Sequence, residues 1–313
     1  KIEENKMCLV SVIMSTYKEE EIFLRQAIES ILNQTYKDFE YIIILDNPDN
    51  DLHKRIIQEY TNDDKRIKFY VNEKNMGLTA SLNKGLGLAK GKYICRMDAD
   101  DISINNRIEI QKKYIEENDY DLIGGISQMI DENGKSIYSI KKVPTDMKKI
   151  KKALRYNQII SHPTWFGKKE VFEQLEGYRQ MPLCEDYDFT LRAVLNGYKI
   201  SNIDEMVLKY RMTSSSISRS NLYEQYLFAR FITKKYSKNK IADIKEAKQY
   251  VNNHNDDRKA KRYLKANARF NIALKDIEEK KYFKFIIDGI LLTFTSFNYL
   301  DKIYRFVKVS SYS

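Results

Sequence analysis

The stretch YICRMDADD, residues 93–101, decides the fold. Its first five residues, Tyr93 to Met97, read as a short strand of the kind that is buried in a parallel sheet. Asp98, Ala99, Asp100 and Asp101 follow directly, at the strand's carboxyl end. Ligands of open α/β sheets bind outside the carboxyl ends of the strands, so acids at that place mark a candidate site.

Outward from this point the same rhythm recurs. Residues 8–15 (CLVSVIMS), 39–45 (FEYIIIL) and 67–71 (IKFYV) are three further strand-like runs. Leu24, Ala27, Ile28, Ile31 and Leu32 fall at helical spacing after the first, Leu52, Ile56 and Tyr60 after the second, and Leu78, Leu82, Leu86 and Ala89 after the third. Strand alternating with helix four times predicts βαβ units around a parallel sheet. Beyond Asp101 the rhythm loosens. Residues 121–130 and 136–140, joined through Asn133-Gly134, predict a hairpin. Helices are expected near 146–156, 169–175 and 186–195, and a strand at 206–212.

The acids suggest a chemistry. Residues two apart on an extended chain point the same way, so Asp98 and Asp100 can aim carboxylates at one spot. Hard oxygen ligands of this kind hold Mg²⁺ or Mn²⁺, with substrate phosphates completing the shell. A helix cap is the alternative for a lone Asp-x-Asp, but here the strand and its neighbours accompany the acids. Neither a Walker motif nor GxGxxG follows the first strand. Phosphates must then be neutralised by a metal, which argues for a nucleoside-diphosphate ligand bridged by a divalent ion.

The chain of 313 residues is long enough for two domains, and 42% hydrophobic residues exclude wholesale disorder. The net charge of +10 is unevenly placed: residues 1–218 hold 33 basic and 34 acidic side chains, and residues 219–313 hold 21 and 10. The expected division is therefore a nearly neutral α/β domain, 1–218, and a basic helical domain, 219–313. Cys8, Cys95 and Cys184 are too few and scattered for a disulfide framework or a zinc site, which fits a reducing, cytoplasmic setting. The apolar run 8–14 is too short for a secretory signal. The longest uncharged apolar stretch, 289–300, falls short of the ~20 residues of a bilayer span.

Five blocks in order, VSVIMSTYKEE (10–20), SILNQTYKDFEYIIILD (30–46), NMGLTASLNKGLGLAKGKYICRMDADD (75–101), SHPTWFGK (161–168) and EDYDFTLRAVLNGYKISNI (185–203), resemble the family 2 glycosyltransferases of the GT-A fold. The SHPT block, the Glu-Asp block and Tyr210-Arg211 look most like the branch that extends bacterial surface polysaccharides and lipid-linked O-antigen repeats. The resemblance implies an inverting, metal-dependent transferase that moves a hexose from a UDP-sugar to a hydroxyl of a lipid-linked or surface-polysaccharide oligosaccharide. Galactose is its first choice of sugar, then N-acetylglucosamine or glucose. It also implies roles for matching residues. Thr16 and Tyr17 line the base and ribose pocket, with Glu19 near the sugar ring. Asp46 accepts from the uracil N3–H, Asn75 and Gly77 hold the loop over the nucleotide, and Lys84 approaches it. Asp98 touches ribose and metal, Asp100 the metal, and Asp186 is the base with Glu185 beside it. One base without a second, nucleophilic carboxylate means a single displacement with inversion.

Two departures stand out. The family's Asp-Asp-Gly-Ser-like turn is replaced by Asp46-Asn47-Pro48-Asp49-Asn50, and the His that follows Tyr-Arg in many relatives by a segment with Thr213 near its place. Arg211 or the hydroxyls after it are expected to supply the phosphate contact instead. His162 is weighed between a turn hydrogen bond and an acceptor or pyrophosphate contact, and Trp165 between core packing and stacking on a sugar. His53 and His254, without partner spacing, are expected to face solvent. Arg192 is expected to pair with a carboxylate, and Cys184 to pack.

The basic tail has helical periodicity at Tyr223, Leu227 and Phe231 and again at Ile241, Ile244, Ala247 and Tyr250, with a helix pair expected over 263–281. Residues 282–309 are apolar and aromatic with basic edges, which suits either a helix in an anionic membrane interface or the core or dimer contact of a helical domain. No nucleic-acid motif accompanies the charge. The expected partners are thus a UDP-sugar, a lipid-linked saccharide acceptor and an anionic membrane surface, at the inner face of the plasma membrane, with a homo-oligomer left open. Two competitors remain: a sugar-1-phosphate nucleotidyltransferase, which would carry a Gly-rich Arg-Lys signature where this chain reads STYKEE, and a non-catalytic nucleotide-binding membrane adaptor.

Overall fold

A computed structural model describes residues 9–139, 142–213, 221–278, 291, 292 and 295–312. Strands β1 (Val10–Thr16), β2 (Phe39–Leu45), β3 (Ile67–Val71) and β4 (Tyr93–Asp98) alternate with helices α1 (Glu21–Leu32), α2 (Asp51–Asp63) and α3 (Leu78–Leu88). The four strands are parallel, in the order β3-β2-β1-β4. All seven residues of β2 are buried because both faces of the sheet are covered, which is why it reads as a continuous apolar run. Alternation sorts the side chains. Val12, Met14, Ile43, Cys95 and Met97 enter one core with α1, α2 and α4 (Arg107–Asn118), and Ile13, Ile42, Ile44 and Ile94 enter the other.

The sheet then changes character. After β5 (Ile102–Ser103) and α4 come β6 (Leu122–Ile130), β7 (Ser136–Ser139), α5 (Met147–Ala153), a 3₁₀ turn (His162–Thr164), β8 (Phe166–Lys168), α6 (Lys169–Gln174), α7 (Glu185–Leu195) and β9 (Ile200–Arg211). β8 runs antiparallel to β4 and β6, β9 lies parallel to β6, and β5 closes the order β3-β2-β1-β4-β8-β6-β9-β5, with β7 paired to β6 as the expected hairpin. Parallel strands over the first hundred residues become a mixed sheet, so the acids after β4 lie at the seam between the two halves. β9 starts earlier than its composition suggests. Ser201 and Asn202 are fully buried and pair with β6, and their side chains donate to the Thr145 and Pro144 carbonyls. Polar residues are tolerated there because these long-range carbonyls take up their donors, although Asn202 Oδ1 is left without a partner.

The C-terminal helices are α8 (Leu222–Tyr236), α9 (Ile244–His254), α10 (Asp257–Glu278) and α11 (Phe297–Ser310). Tyr223, Tyr226, Phe228, Tyr263 and Tyr299 belong to the same apolar cluster as Ile13 and Phe189, so the core runs unbroken from the sheet into this helical region. The helix pair expected over 263–281 is instead one helix through Glu278, with 279–281 outside the described residues. Ile241 is exposed and lies outside α9, which starts at Ile244 because Asp243 caps it by accepting from the Glu246 amide. Of the candidate membrane-interface stretch 282–309, residues 282–290, 293 and 294 lie outside the described residues. Its end forms α11, where Phe297, Tyr304, Phe306 and Val307 are exposed.

Trp165 is core. Its ring is fully buried among His162, Phe172, Tyr178 and Phe189, stacked on Tyr178 at 6.0 Å, and its indole N–H donates to the Ile160 carbonyl. No face is left for a sugar, which corrects the stacking expectation. Trp165→Ala should cost about 3–5 kcal/mol of stability in urea unfolding. A loss below about 1 kcal/mol would contradict this packing.

Candidate functional site

The strand ends build a cleft from three clusters. At the end of β1, Thr16 Oγ1 donates to Glu19 Oε2 (2.6 Å), and the Tyr17 amide donates to the same oxygen (2.8 Å). Tyr17 itself is exposed, and its carbonyl accepts from Asn50 Nδ2. His53 does not face solvent. It is 1% exposed, its Nε2–H donates to the Glu19 carbonyl (2.8 Å), and its Nδ1 lies 3.0 Å from Thr16 Oγ1. The first turn of α2, capped by Asn50, carries it there. His254 is exposed as expected.

At the end of β2, Asp46 is a clamp. Its Oδ1 accepts from Asn72 Nδ2 (2.7 Å) and the Met76 amide (2.8 Å), and its Oδ2 from the Gly77 amide (2.8 Å). Asn75 Oδ1 also accepts from Gly77 N–H, and Lys84 Nζ donates to Asn72 Oδ1. Gly77 has φ of +84°, which lets the loop bend back onto Asp46 before α3 begins. Asp46 Oδ2 keeps lone-pair capacity for a further donor.

At the end of β4, one oxygen from each of Asp98, Asp100 and Asp101 lies within 4.8 Å of the others. Arg211 holds this turn in place. Its backbone N–H donates to Asp101 Oδ1, its Nε to the Asp100 carbonyl, its Nη1 to the Asp131 and Glu132 carbonyls, and its Nη2 to Gln26 Oε1. The guanidinium also lies over the Phe23 ring at 4.2 Å. With its donors committed in this way, Arg211 orients the acidic turn, and the expected phosphate contact is corrected to that role. Thr213 is buried, and Ser214 to Ser216 lie outside the described residues.

Facing the trio is the first turn of α7. Asp186 Oδ1 accepts from the Tyr187 amide (2.7 Å), and Oδ2 is 3.5 Å from Gln158 Nε2. Glu185 and Asp186 are half-buried, and their place at a helix N-terminus suits negative charge. The third acid of this block is structural: Asp188 is buried between Arg179 and Arg192, which ties α7 to the preceding loop. Cys184 packs, and burial pushes its thiol well above the usual range.

Arg96 joins the two acid groups. Strand alternation puts it on the face of Ile94 and Asp98, 3% exposed, and its Nη1 meets Asp98 Oδ1 as an ion pair. Its Nε and Nη1 have no partner in hydrogen-bond geometry. Its charge acts on Asp100, Asp101, Glu185 and Asp186, lowering the pKa of each. His162 sits behind it, buried, with Nε2 2.9 Å from the Tyr178 hydroxyl. Burial, then Arg96, holds the imidazole well below its usual pKa, so it is neutral.

Burial dominates the acids themselves. It pushes Asp100 up to about 7, with Asp98 and Glu19 adding to the shift, and raises Asp101 well above the usual range. Burial, then Asp186, pushes Glu185 to about 7, and Asp186 is raised as well. A divalent ion fits this donor set. Three hard oxygens converge, their mutual repulsion calls for a cation, and Asp101 Oδ2 is buried without a partner. Arg96, Asp101, Gln158 and His53 were not singled out as site residues by sequence reasoning. Asp101 stands in the quoted acidic run, whereas Gln158 and His53 reach the cleft only through folding.

Residues 11–176 match the family described as Glycosyl transferase family 2. The chain is 42% identical over 233 residues to an uncharacterized glycosyltransferase of Methanocaldococcus jannaschii, covering 74% of this chain and 80% of that protein. It is 36% identical over 234 residues to the O-antigen biosynthesis glycosyltransferase WbnJ of Escherichia coli, covering 72% and 90%. It is 31% identical over 233 residues to an E. coli UDP-Gal:alpha-D-GlcNAc-diphosphoundecaprenol beta-1,3-galactosyltransferase, covering 70% and 83%. Among solved structures, S. aureus TarS 1-349 in complex with UDP-GlcNAc is similar in fold, with a TM-score of 0.60 and 20% identity over 78% of this chain and 70% of that one.

The electrostatics set a sign for stability. Asp100 ionises near 3.8 when unfolded but near 7 when folded, so the native chain holds more protons between these values. Metal-free stability should fall as pH rises through that window. Added Mn²⁺ should raise the melting temperature, most clearly above the upper end of the window. An equal Mn²⁺ response in wild type and in Asp98→Asn/Asp100→Asn would rule the trio out as its site.

Proposed function

Because this chain belongs to glycosyl transferase family 2 and is a glycosyltransferase of the GT-A fold, we propose that it transfers a hexose, with inversion, from a UDP-sugar to a lipid-linked or surface-polysaccharide oligosaccharide. The observation that carries the reading is the acid trio at the β4 end facing Glu185 and Asp186 across Arg96.

The uracil and ribose lie in the cleft of Thr16, Tyr17 and Asp46, under the loop of Asn75 and Gly77, with Asp98 at the ribose. Lys84 acts indirectly, through Asn72. Asp98, Asp100 and Asp101 are the residues that would hold Mn²⁺ or Mg²⁺. When bound, that ion supplies Lewis-acid neutralisation of the leaving diphosphate. Asp186 accepts the acceptor's hydroxyl proton on Oδ2, whose one contact, from Gln158 Nε2, is long at 3.5 Å, while the Tyr187 amide fixes Oδ1. The new bond joins the acceptor oxygen to the anomeric carbon, and the bond that breaks joins this carbon to the diphosphate. Arg96 keeps the base ionisable among its acidic neighbours. UDP-galactose is the donor of first choice, supported by the galactosyltransferase relative, with UDP-N-acetylglucosamine and UDP-glucose next.

The neutral part of the chain, 1–218, forms the transferase domain, and the basic part, 219–313, addresses an anionic membrane at the inner face of the plasma membrane. The exposed apolar side chains of α11 support this, and no helix among the described residues is long and apolar enough to cross a membrane.

A donor panel with Mn²⁺, read by UDP release, tests the proposal. Asp186→Asn should lower kcat by roughly 10²–10⁴-fold. Glu185 and Asp186 carry raised pKa values, Glu185 near 7, so the pair gains protons as pH falls and kcat/KM should rise with pH through about 7. Absence of turnover with every nucleotide sugar, or an Asp186→Asn enzyme of wild-type rate, would refute it.

A further inference from the structure

Away from the acids, a cavity of about 330 Å³ lies between α8, α11 and the segment after α5. Arg155, Arg230, Lys234, Lys238 and Arg305 line it, with Thr233. Asp301 is shared by Arg230 (2.9 Å) and Arg305 (2.8 Å). Among the described residues, no carboxylate pairs with Arg155, Lys234 or Lys238. One carboxylate for five cations leaves a strong local excess of positive charge, which concentrates anions in a concave site. Guanidinium and ammonium groups are the donors that phosphate oxygens take.

The cavity is physically joined to the proposed base. Arg155 lines it, and Arg305 Nη1 donates to the next residue's carbonyl, Tyr156 O. Two residues further on, Gln158 reaches Asp186, while Tyr187 O–H donates to the Leu154 carbonyl. Arg155 and Gln158 are three residues apart, so their Cα atoms are at most about 11 Å apart. Phe306 and Val307, exposed on α11, directly follow Arg305.

We infer that this cavity binds the phosphate or diphosphate carried by the acceptor, holding the acceptor so that its sugar hydroxyl meets Asp186. The inference rests on the glycosyl-transfer reading for its purpose, but the anion site is testable by itself. Lys234 and Lys238 carry the test, because Arg230 and Arg305 also hold the helices together.

In metal-free buffer, inorganic pyrophosphate titrated into the full chain should bind, and Lys234→Glu/Lys238→Glu should weaken it by roughly tenfold or more. The control Lys65→Glu/Lys68→Glu, which changes net charge equally, should not. With N-acetylhexosamines linked to an alkyl diphosphate as acceptors, the cavity variant should raise KM by a similar factor at unchanged kcat. It should leave methyl glycoside acceptors and acceptor-free hydrolysis of the donor unaffected. Pyrophosphate binding that ignores the cavity variant, or KM values that rise equally for methyl glycosides, would overturn the inference. So would a variant that loses binding to phosphatidylglycerol vesicles while retaining pyrophosphate, since the site would then serve lipid headgroups. A wild type that binds pyrophosphate but hydrolyses no nucleotide sugar sinks the transferase reading alone.

Discussion

Five carboxylates, Asp98, Asp100, Asp101, Glu185 and Asp186, converge around one buried guanidinium, that of Arg96. Without a cation, so many acids in a poorly solvated cleft would take up protons or force the loops apart. Arg96 pairs with Asp98 and lowers the pKa of four other acids, yet burial still prevails over it at Asp100 and Glu185. The site is therefore left short of positive charge by design of its geometry. That shortage suits a cation at the trio, which is what the proposed transfer asks of it.

The surrounding fold serves this arrangement by fixing loops rather than by adding chemistry. Asp46 holds the Met76 and Gly77 amides, Arg211 holds the carbonyls around the acidic turn, and Asp188 locks α7 through Arg179 and Arg192. Each is a charged group that secures one wall of the cleft, Asp46 and Arg211 through partners from distant segments and Asp188 through one arginine of its own helix and one of the preceding loop. The aromatic cluster of Trp165, Tyr178 and Phe189 lies behind these walls and keeps Arg96 and His162 out of water.

Much of this was legible in the chain. β2 and β3 have the expected boundaries, because strands buried on both faces read as apolar runs whatever their surroundings. The acids after β4 were visible because hard oxygens at a strand's end carry a chemical meaning, whereas the Glu-Asp pair of α7 stood out only through the family resemblance. His53 and Arg211 were misread for a common reason. A lone histidine or arginine has a meaning only through its partners, and those lie 37 residues away for His53 and up to 185 for Arg211. The first half of β9 was missed because its polar residues gain partners only when it lies beside β6.

Local pattern alone determined the parallel α/β half, the place of the acids at a strand's end, and the basic character of the last third, since periodicity and charge are properties of neighbouring residues. Tertiary structure decided the rest: that Arg96 lies between the acid trio and the Glu185-Asp186 pair, that Arg211 is a clamp, that Asp101 converges with Asp98 and Asp100, and that five cations from three separate segments line one cavity. Those facts depend on distances across the fold, and both electrostatics and hydrogen bonding act through distance in space, which no spacing along the chain records.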